Sequence, residues 1–286
     1  MKGQEKGRIS PGNLSRNQVE QFQAIIYQYY QAHKRAMPWR QTQNPYHILV
    51  SEIMLQQTQV ERVLGMYGDF LARFPDFETL AIATWPEVLA AWQGLGYNRR
   101  ALALKRLAQA VLEDWGGALP GNAEDLRALP GIGPATAGAL LAFAYEQPVV
   151  FIETNIRRVF LHLFFAGREG VTDREILPLV AETLDRKRVR EWYYALMDYG
   201  AALKGAGPNP NRRSAHYARQ SPFRGSNREV RSLILKALLK EPVLSGAALA
   251  RAVGVAPART KAALEQLLDE GFVIQEGESL RLALRV

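Results

Sequence analysis

Apolar side chains recur at three- and four-residue spacing along most of the chain. Between Gln18 and Lys34, for example, Val19, Phe22 and Ile26 share such a spacing, which places them on one face of an α-helix. The same pattern predicts a helix starting at Pro45 and further helices at about 60–74, 79–82, 85–93, 99–114, 123–129, 133–145, 156–165, 173–184 and 189–203. No part of this region alternates with a two-residue period, so we predict an all-α body with short connections.

The C-terminal residues 228–286 predict a separate small domain. Helical patterns at 228–239, 246–252 and 258–270 precede two strand-like runs at 272–275 and 280–284. Three helices followed by a hairpin are typical of a winged-helix domain. Arg259 and Lys261 fall on its expected recognition helix. Acidic and basic residues nearly balance here, so docking to protein is as compatible with the pattern as reading a DNA groove.

Residues 204–227 have a different composition, rich in Gly, Pro, Asn and Ser. They include Lys204, Arg212, Arg213 and Arg219 and no acidic residue. The segment is interpreted either as a solvated linker or as a basic linker that also lies along phosphates.

Composition narrows the possible chemistry. The 286 residues carry a formal charge of +8, which suits a polyanionic partner. They contain no cysteine, so disulfides, thiolate zinc sites, cysteine-held iron–sulfur clusters and a cysteine nucleophile are excluded. No apolar run is long enough to span a membrane, and residues 1–17 are polar without a signal-type apolar segment. We expect a cytoplasmic protein with a disordered tail over 1–17.

A glycine-rich turn, Leu129–Gly138, is the first candidate binding feature. Pro130 and Gly131 end one helix, and Gly133 begins a helix made of small and apolar residues. Such a turn directs backbone N–H groups toward one point and can hold a phosphate. Most Gly-x-Gly turns are only tight turns, so the pattern alone leaves both interpretations open.

Two carboxylates, Glu52 and Glu153, lie in apolar or amide-rich sequence. Two carboxyl groups in different environments can serve as a general acid and as an anion, the arrangement that cleaves glycosidic bonds. The alternative is that each is a structural acid, paired for instance with Arg40 or Arg157.

Several motifs occur in an order that identifies a family. They are Met37-Pro-Trp-Arg40, Pro45-Tyr46, Ser51-Glu-Ile-Met-Leu-Gln-Gln-Thr-Gln-Val60, Gly94-Leu-Gly-Tyr97, the turn Leu129–Gly138 and Met197-Asp-Tyr-Gly200. The sequence resembles the helix-hairpin-helix DNA glycosylases, and within them the MutY-type adenine DNA glycosylases. The resemblance implies a two-lobed helical body with a DNA cleft between the lobes. One lobe combines 18–44 with 150–203, and the other is a six-helix lobe over 45–149 that carries the helix-hairpin-helix.

The resemblance also implies roles for individual residues. Glu52 matches the general acid that protonates the purine at N7, Glu153 stands at the position of the family's catalytic aspartate, and Asn155 matches the asparagine beside it. The implied DNA-binding residues are Gln56, Gln57, Thr58, Tyr97, Gly131 and Gly133, to which we add Arg212 and Arg213 of the basic linker. Among them, Gln57 wedges into the base stack and Tyr97 intercalates beside the flipped nucleotide. The implied base pocket contains Trp39, Arg40 and Ala135, and a monovalent cation can bind the hairpin backbone.

Two positions bear on strand cleavage. Relatives that cleave the strand have a lysine nucleophile at the position of Ala135, and some have a lysine at that of Arg157. Alanine cannot form a Schiff base, and a guanidinium does not lose its proton to attack. The resemblance therefore implies excision without lyase activity.

The chain departs from the family in three respects. Glu153 replaces an aspartate, which lengthens the side chain by one methylene. The four cysteines of the usual [4Fe–4S] cluster are missing, and the basic segment 204–224 occupies their place. The winged-helix-like unit replaces the usual C-terminal domain. We therefore expect no cluster and no other cofactor.

The sequence thus predicts a monomeric, monofunctional glycosylase that acts on double-stranded DNA and removes adenine opposite G or 8-oxoguanine. One alternative is a glycosylase of the same fold that removes thymine or uracil opposite G. Another is a catalytically silent DNA-binding protein.

Overall fold

A computed structural model describes residues 14–205 and 207–284 of the chain. Its helices are α1 (Arg16–His33), α2 (Pro45–Leu55), α3 (Val60–Arg73), α4 (Phe77–Ile82), α5 (Trp85–Ala91), α6 (Arg99–Trp115), α7 (Ala123–Ala128), α8 (Pro134–Phe143), α9 (Thr154–Leu163), α10 (Asp173–Thr183), α11 (Val189–Ala202), α12 (Asn227–Lys240), α13 (Gly246–Val253) and α14 (Pro257–Asp269). Short 3-10 helices cover Pro38–Arg40 and Pro210–Arg213. The strands are β1 (Leu244–Ser245), β2 (Val273–Glu276) and β3 (Ser279–Leu282).

The predicted all-α body and the winged-helix unit are both confirmed. Most predicted helix boundaries agree with the observed ones within two residues. The sequence pattern missed β1, which makes the winged-helix sheet three-stranded in the order β1-β3-β2. All its pairs are antiparallel, with Leu244 opposite Leu280 and Val273 opposite Leu282. A two-residue strand shows no alternation, which is why its pattern could not be recognised.

The chain divides into two compact units. Among the described residues, the first contains those up to Ile48, then Gly121–Arg127 and Ile132–Arg219, and the second contains Leu49–Pro120, Ala128–Gly131 and those from Gln220 onward. Of the predicted tail over 1–17, residues 1–13 lie outside the described part of the chain, and α1 begins at Arg16. In residues 14–205 and 207–284, no helix is both long enough and apolar enough to cross a membrane.

In the first unit, α11 lies at the centre and packs against α1, α8 and α9. An aromatic cluster joins three of these helices. The ring centroid of Phe22 lies 5.3 Å from that of Phe160 and 5.8 Å from that of Trp192. Rings at these separations add attraction beyond the area they bury. The cluster fixes the C-terminal half of α9, and hence the direction in which its N-terminus points.

In the second unit, α6 packs against α4 and α5, and the winged-helix unit belongs to the same compact unit. The ring of Phe272 meets the indole of Trp85 edge to face, with centroids 5.1 Å apart. The backbone N–H of Trp85 donates to the carbonyl oxygen of Leu284 at 3.1 Å. Both aromatic side chains are fully buried. The winged-helix unit is therefore packed against the other helices of the second compact unit and is not a pendant module.

Candidate active site

Glu153 is the N-cap of α9. Its Oε1 accepts hydrogen bonds from the backbone N–H groups of Asn155 at 2.7 Å and Ile156 at 2.8 Å. These are donors that a helix N-terminus otherwise leaves unpaired. Burial raises the pKa of the Glu153 carboxyl above its ordinary value, although the two N–H donors and the charges of Arg158 and Arg157 act in the opposite direction. The result is a rigidly oriented carboxylate at a site where its charge is poorly solvated.

The amide of Asn155 links Glu153 to a buried cation. Arg158 donates from Nη1 to Oδ1 of Asn155 at 2.7 Å and to the carbonyl oxygen of Gly200 at 2.6 Å. Because a guanidinium has no acceptor, the Asn155 oxygen must face Arg158, and its Nδ2 then donates to Oε2 of Glu153 at 3.2 Å. Asn155, which the resemblance implies as a holder of the acid, therefore contacts it directly.

Two glycines permit close approach around this carboxylate. A Cβ on Gly200 of α11 would stand 2.3 Å from the carbonyl oxygen of Asn155. A Cβ on Gly138 of α8 would stand 2.4 Å from the Cβ of Phe151, two residues before Glu153. Real Cβ atoms do not approach so closely, so both positions require glycine for space.

The first part of the basic segment packs against α9. Asn211 donates from Nδ2 to the carbonyl oxygen of Thr154 at 3.0 Å, and Asn209 Oδ1 accepts from Nε of Arg158 at 3.2 Å. Arg213 donates from Nη2 to the carbonyl oxygen of Leu161 at 2.8 Å, near the C-terminal end of α9. Arg212, by contrast, is exposed. This segment thus binds α9 at both ends.

Arg40 and Arg157, the two arginines that the sequence offered as structural partners for Glu52 and Glu153, form ion pairs with other carboxylates. Arg157 pairs with Asp173 at 2.7 Å, and Arg40 forms a bidentate pair with Asp198. Asp198 also accepts from Arg35. Burial on its own would raise the pKa of Asp198, but the hydrogen bonds and charges of the two arginines lower it. Glu153 is therefore not a partner in either of these ion pairs.

One arginine of the second unit, Arg100, holds the Gln56-Gln57-Thr58 segment and the C-terminal end of α2, the helix that carries Glu52. Glu52 lies on α2, half-buried between the fully buried Ser51 and Ile53. Arg100 donates from Nη1 to the carbonyl oxygens of Ile53, Met54 and Gln56, at 2.8, 2.9 and 2.6 Å. It thereby satisfies carbonyls that the C-terminus of α2 leaves unpaired.

The other terminal nitrogen of Arg100 binds a second loop. Nη2 donates to Thr58 Oγ1 at 3.0 Å and to the carbonyl oxygens of Leu95 and Gly96 at 3.2 and 3.0 Å. Burial lowers the pKa of Arg100 to about 10, which leaves it charged at neutral pH. One half-buried cation therefore joins the segment of Gln57 to the segment of Tyr97.

Gln57 and Tyr97 share a backbone feature. Both are non-glycine residues in the left-handed region, with φ of 55° and 49°. This conformation is uncommon for side chains with a Cβ and is found where the surroundings impose it, often at ligand sites. The two residues with the implied roles of wedge and intercalator are thus two of the three such residues in the described part of the chain; Glu146 is the third.

Two residues far along the chain, Gln220 and Arg228, hold the hydroxyl of Tyr97. It accepts hydrogen bonds from Gln220 Nε2 and Arg228 Nη1. The guanidinium of Arg228 also lies over the Tyr97 ring, 5.0 Å from its centroid. Tyr97 therefore contacts both the linker and α12.

The remaining sequence-predicted residues lie as follows. Gly131 has φ of 80° and its Cβ would stand 2.9 Å from the Cβ of Ala103, so conformation and space both require glycine. Gly131 also lines a small depression, of about 240 Å³, with Arg99. Gly133 caps α8 with an ordinary φ and open space at its Cβ position. Ala135 is exposed near the start of α8, and Trp39 is buried.

Sequence reasoning missed Arg100, Arg158, Asn209 and Arg228. Arg158 had a local signal, because it lies three residues after Asn155 on a helix and so shares its face. The others are placed only by contacts between segments far apart in the chain, which no local pattern reports.

Two families of known proteins match this chain. Residues 50–182 match the HhH-GPD superfamily of base excision DNA repair proteins. Residues 228–274 match a winged helix-turn-helix DNA-binding family. The two matches fall on the helical body and on the C-terminal unit.

Individual relatives extend the match. An adenine DNA glycosylase of Mycolicibacterium smegmatis is 32% identical over 277 residues, which cover 91% of this chain and 94% of that protein. One of Mycobacterium tuberculosis is 39% identical over 180 residues, 61% of this chain and 59% of the relative. The chain thus spans less than two thirds of the latter protein.

A solved structure shows the same architecture. The structure of a thermostable thymine-DNA glycosylase covers 67% of this chain and 90% of its own, with a TM-score of 0.59 and 26% identity. Together, the match to the superfamily and the nearly full-length relative show that this chain belongs to the adenine DNA glycosylase family of the HhH-GPD superfamily.

Proposed function

We propose that this protein is a monofunctional adenine DNA glycosylase. It removes adenine mispaired with G or 8-oxoguanine from double-stranded DNA by hydrolysing the N-glycosidic bond, after the nucleotide has been rotated out of the stack. The observation that carries the proposal is the environment of Glu153, a poorly solvated carboxylate held by two N–H groups at the start of α9.

That environment suits the charge of the reaction. As the glycosidic bond breaks, the sugar gains oxocarbenium character and positive charge. A fixed carboxylate stabilises such a cation strongly where water is excluded, because little reorganisation is needed. The contacts to Asn155 and the two backbone N–H groups keep Glu153 oriented, so its extra methylene relative to the family aspartate does not leave it loose.

Glu52 is proposed as the general acid. Protonation of adenine at N7 turns a poor leaving group into a neutral one. Gln57 and Tyr97 are proposed to insert into the base stack and widen it. Their backbones, held in the left-handed region, suit this role because such conformations are found at ligand sites. Trp39, Arg40 and Ala135 are proposed to line the base pocket, and Gly131 and Gly133 to bind a phosphate through backbone N–H groups.

We further propose that the enzyme lacks lyase activity. Ala135 offers no amine, and Arg157 is engaged by Asp173 at 2.7 Å. Borohydride reduction during turnover should trap no covalent protein–DNA complex. A trapped complex at a yield comparable to the amount of abasic product would contradict this part of the proposal.

The proposed reaction requires two carboxylates and water, and a chain without cysteine has no thiolates for an iron–sulfur cluster. The proposed enzyme works as a monomer in the cytoplasm, or on the nucleoid if the cell is prokaryotic. Gel filtration with light scattering tests the monomer directly.

Base release from a panel of duplexes, each with one mismatch, tests the excised base. We expect adenine release from A opposite G or 8-oxoguanine, and its loss in Glu52→Gln. Absence of adenine release from every duplex would refute the proposal. Release in Glu52→Gln at the wild-type rate would refute the role of Glu52.

One observation favours a second candidate, a thymine or uracil glycosylase acting opposite G. The solved thymine-DNA glycosylase shares the fold at 26% identity. The same panel separates the two, because this candidate releases thymine or uracil and leaves adenine in place.

A further inference from the structure

A groove of about 1080 Å³ lies within the second unit, beside Gln57 and Tyr97. One side comes from the segments around these residues. The other comes from the linker residues Gln220, Ser221 and Phe223 and from α12. The winged-helix unit thus supplies a wall of the groove that contains the proposed wedge residues.

The lining of this groove is cationic. Its basic residues are Arg62, Arg99, Arg100, Arg228, Arg231 and Lys236, and none of the described residues that line it is acidic. Glu270, just outside, pairs with Arg99 at 2.5 Å and with Arg231 at 2.7 Å, and neutralises part of that charge. Arg62 and Lys236 are exposed. They are therefore available for phosphate oxygens.

The groove also offers groups that bind bases. Eight amide side chains line it, Gln57 and Gln220 among them. Phe223 lines it with 51% of its surface exposed, which is unusual for a large aromatic side chain. An exposed aromatic ring among cations is a typical platform for an unstacked base.

The recognition helix α14 is poorly suited to the same task. Its exposed Lys261 lies near Glu265 at 3.9 Å, and Arg259 donates to the carbonyl oxygen of Gly225. The hairpin behind it is fixed, because Phe272 packs on Trp85.

We propose that the winged-helix unit binds DNA through α12 and the linker, and that this groove holds the strand opposite the excised base. Lys236 and Arg62 contact its phosphates, and Phe223 stacks on the base left unpaired. Arg228 is a positioning residue, because it holds Tyr97 and donates from Nη2 to the carbonyl oxygen of Ser221 at 2.7 Å. The inference rests on the proposed function.

The test measures how duplex affinity depends on salt. The probe is a labelled duplex in which a non-hydrolysable 2′-fluoro adenosine lies opposite G, titrated by fluorescence anisotropy between about 50 and 200 mM salt. Each lost phosphate contact should reduce the slope of log affinity against log salt by about 1. We expect this for Lys236→Gln and for Arg62→Gln. Lys240→Gln, on the same helix but outside the groove, should keep the wild-type slope.

Phe223→Ala tests the stacking. It should weaken binding of the mismatched duplex about tenfold and leave a fully paired duplex unaffected. Because Phe223 is exposed, the variant should keep the wild-type melting temperature.

Two results would overturn the inference: unchanged slopes in both groove variants, or a reduced slope in Lys261→Gln together with an unchanged one in Lys236→Gln. Adenine release by the wild-type protein is measured separately. If the wild type releases adenine but Lys236→Gln and Arg62→Gln keep the wild-type salt slope, only the proposed DNA groove is refuted. If both variants lower the salt slope but the wild type releases no base from any mismatch, only the glycosylase proposal is refuted.

Discussion

Gly200 of α11 lies against Asn155 of α9 so closely that a Cβ on residue 200 would stand 2.3 Å from the Asn155 carbonyl oxygen. Asn155 in turn holds Glu153. Gly200→Ala should therefore displace Asn155 and the carboxylate it contacts. Since a catalytic group misplaced by about 1 Å can lose about a hundredfold in rate, we expect at least that loss in kcat for base release, measured in single-turnover assays.

Gly65→Ala is the matched control, since Gly65 is also helical and has open space at its Cβ position. It should keep full activity and gain up to about 1 kcal/mol of stability from helix propensity. Wild-type activity in Gly200→Ala would show that the contact between α9 and α11 does not position the site.

The pH dependence of base release should report Glu153. Burial raises the pKa of this carboxyl above the ordinary value of 4.5, and the proposed role requires the ionised form. The rate should therefore begin to fall, as pH is lowered, at a pH above the range in which exposed carboxyl groups titrate. Single-turnover rates across the acidic range measure this limb, and Glu153→Gln should be inactive at every pH.

The raised pKa of Glu153 also makes the stability of the fold depend on pH. A carboxyl whose pKa is higher in the folded than in the unfolded state stabilises the fold when protonated, and this stabilisation is lost as pH rises from 4.5 through the raised value. The free energy of unfolding of the wild type should thus fall relative to that of Glu153→Gln over this window. If the wild type instead became more stable relative to Glu153→Gln as pH rises, the raised pKa of Glu153 would be contradicted.

Arg100→Lys should be strongly destabilising although it keeps the charge. Arg100 donates six hydrogen bonds of 2.6–3.2 Å from two terminal nitrogens. An ammonium provides three donors from one point and cannot reach both loops. We expect a loss of about 3 kcal/mol or more in urea unfolding and weaker binding of mismatched duplexes.

Arg106→Lys, at an exposed position of the same helix, should change stability by less than about 0.5 kcal/mol. Equal stability of the Arg100→Lys and Arg106→Lys proteins would mean that the segments of Gln57 and Tyr97 do not depend on the guanidinium.

The sequence predicts both Arg212 and Arg213 as DNA-binding residues, but the structure gives them different surroundings. Arg212 is exposed, whereas Arg213 donates to the carbonyl oxygen of Leu161 at 2.8 Å. Arg212→Gln should reduce the salt slope of DNA binding by about 1 at an unchanged melting temperature. Arg213→Gln should cost about 1 kcal/mol of stability and leave the slope unchanged. Identical behaviour of the two variants would contradict this distinction.

Much of the architecture could be predicted from local patterns. Helical periodicity located the helices to within two residues at most ends, and the order of three helices and a hairpin predicted the winged-helix unit. Periodicity succeeds here because each helix buries its own apolar face, a property encoded by neighbours three and four residues apart. Motifs predicted the family, since residues that share chemistry keep their local spacing.

The sequence also located the carboxylates, amides and glycines that carry the proposed chemistry, without showing what holds them. The roles of Arg100, Arg158 and Asn211 depend on contacts across 42 to 57 positions of the chain. A side chain's partners at such separations follow from how helices pack, and local propensity contains no information on this.

The winged-helix unit illustrates the same division. By itself, the sequence determined its three helices and two of its three strands and placed Arg259 and Lys261 on α14, because these features depend on short-range periodicity and turns. The tertiary structure alone decided that the hairpin is fixed against Trp85 and that α12 lies beside Tyr97. The physical reason is that burial of Phe272 and pairing of Glu270 with Arg99 depend on surfaces that exist only once distant segments have packed.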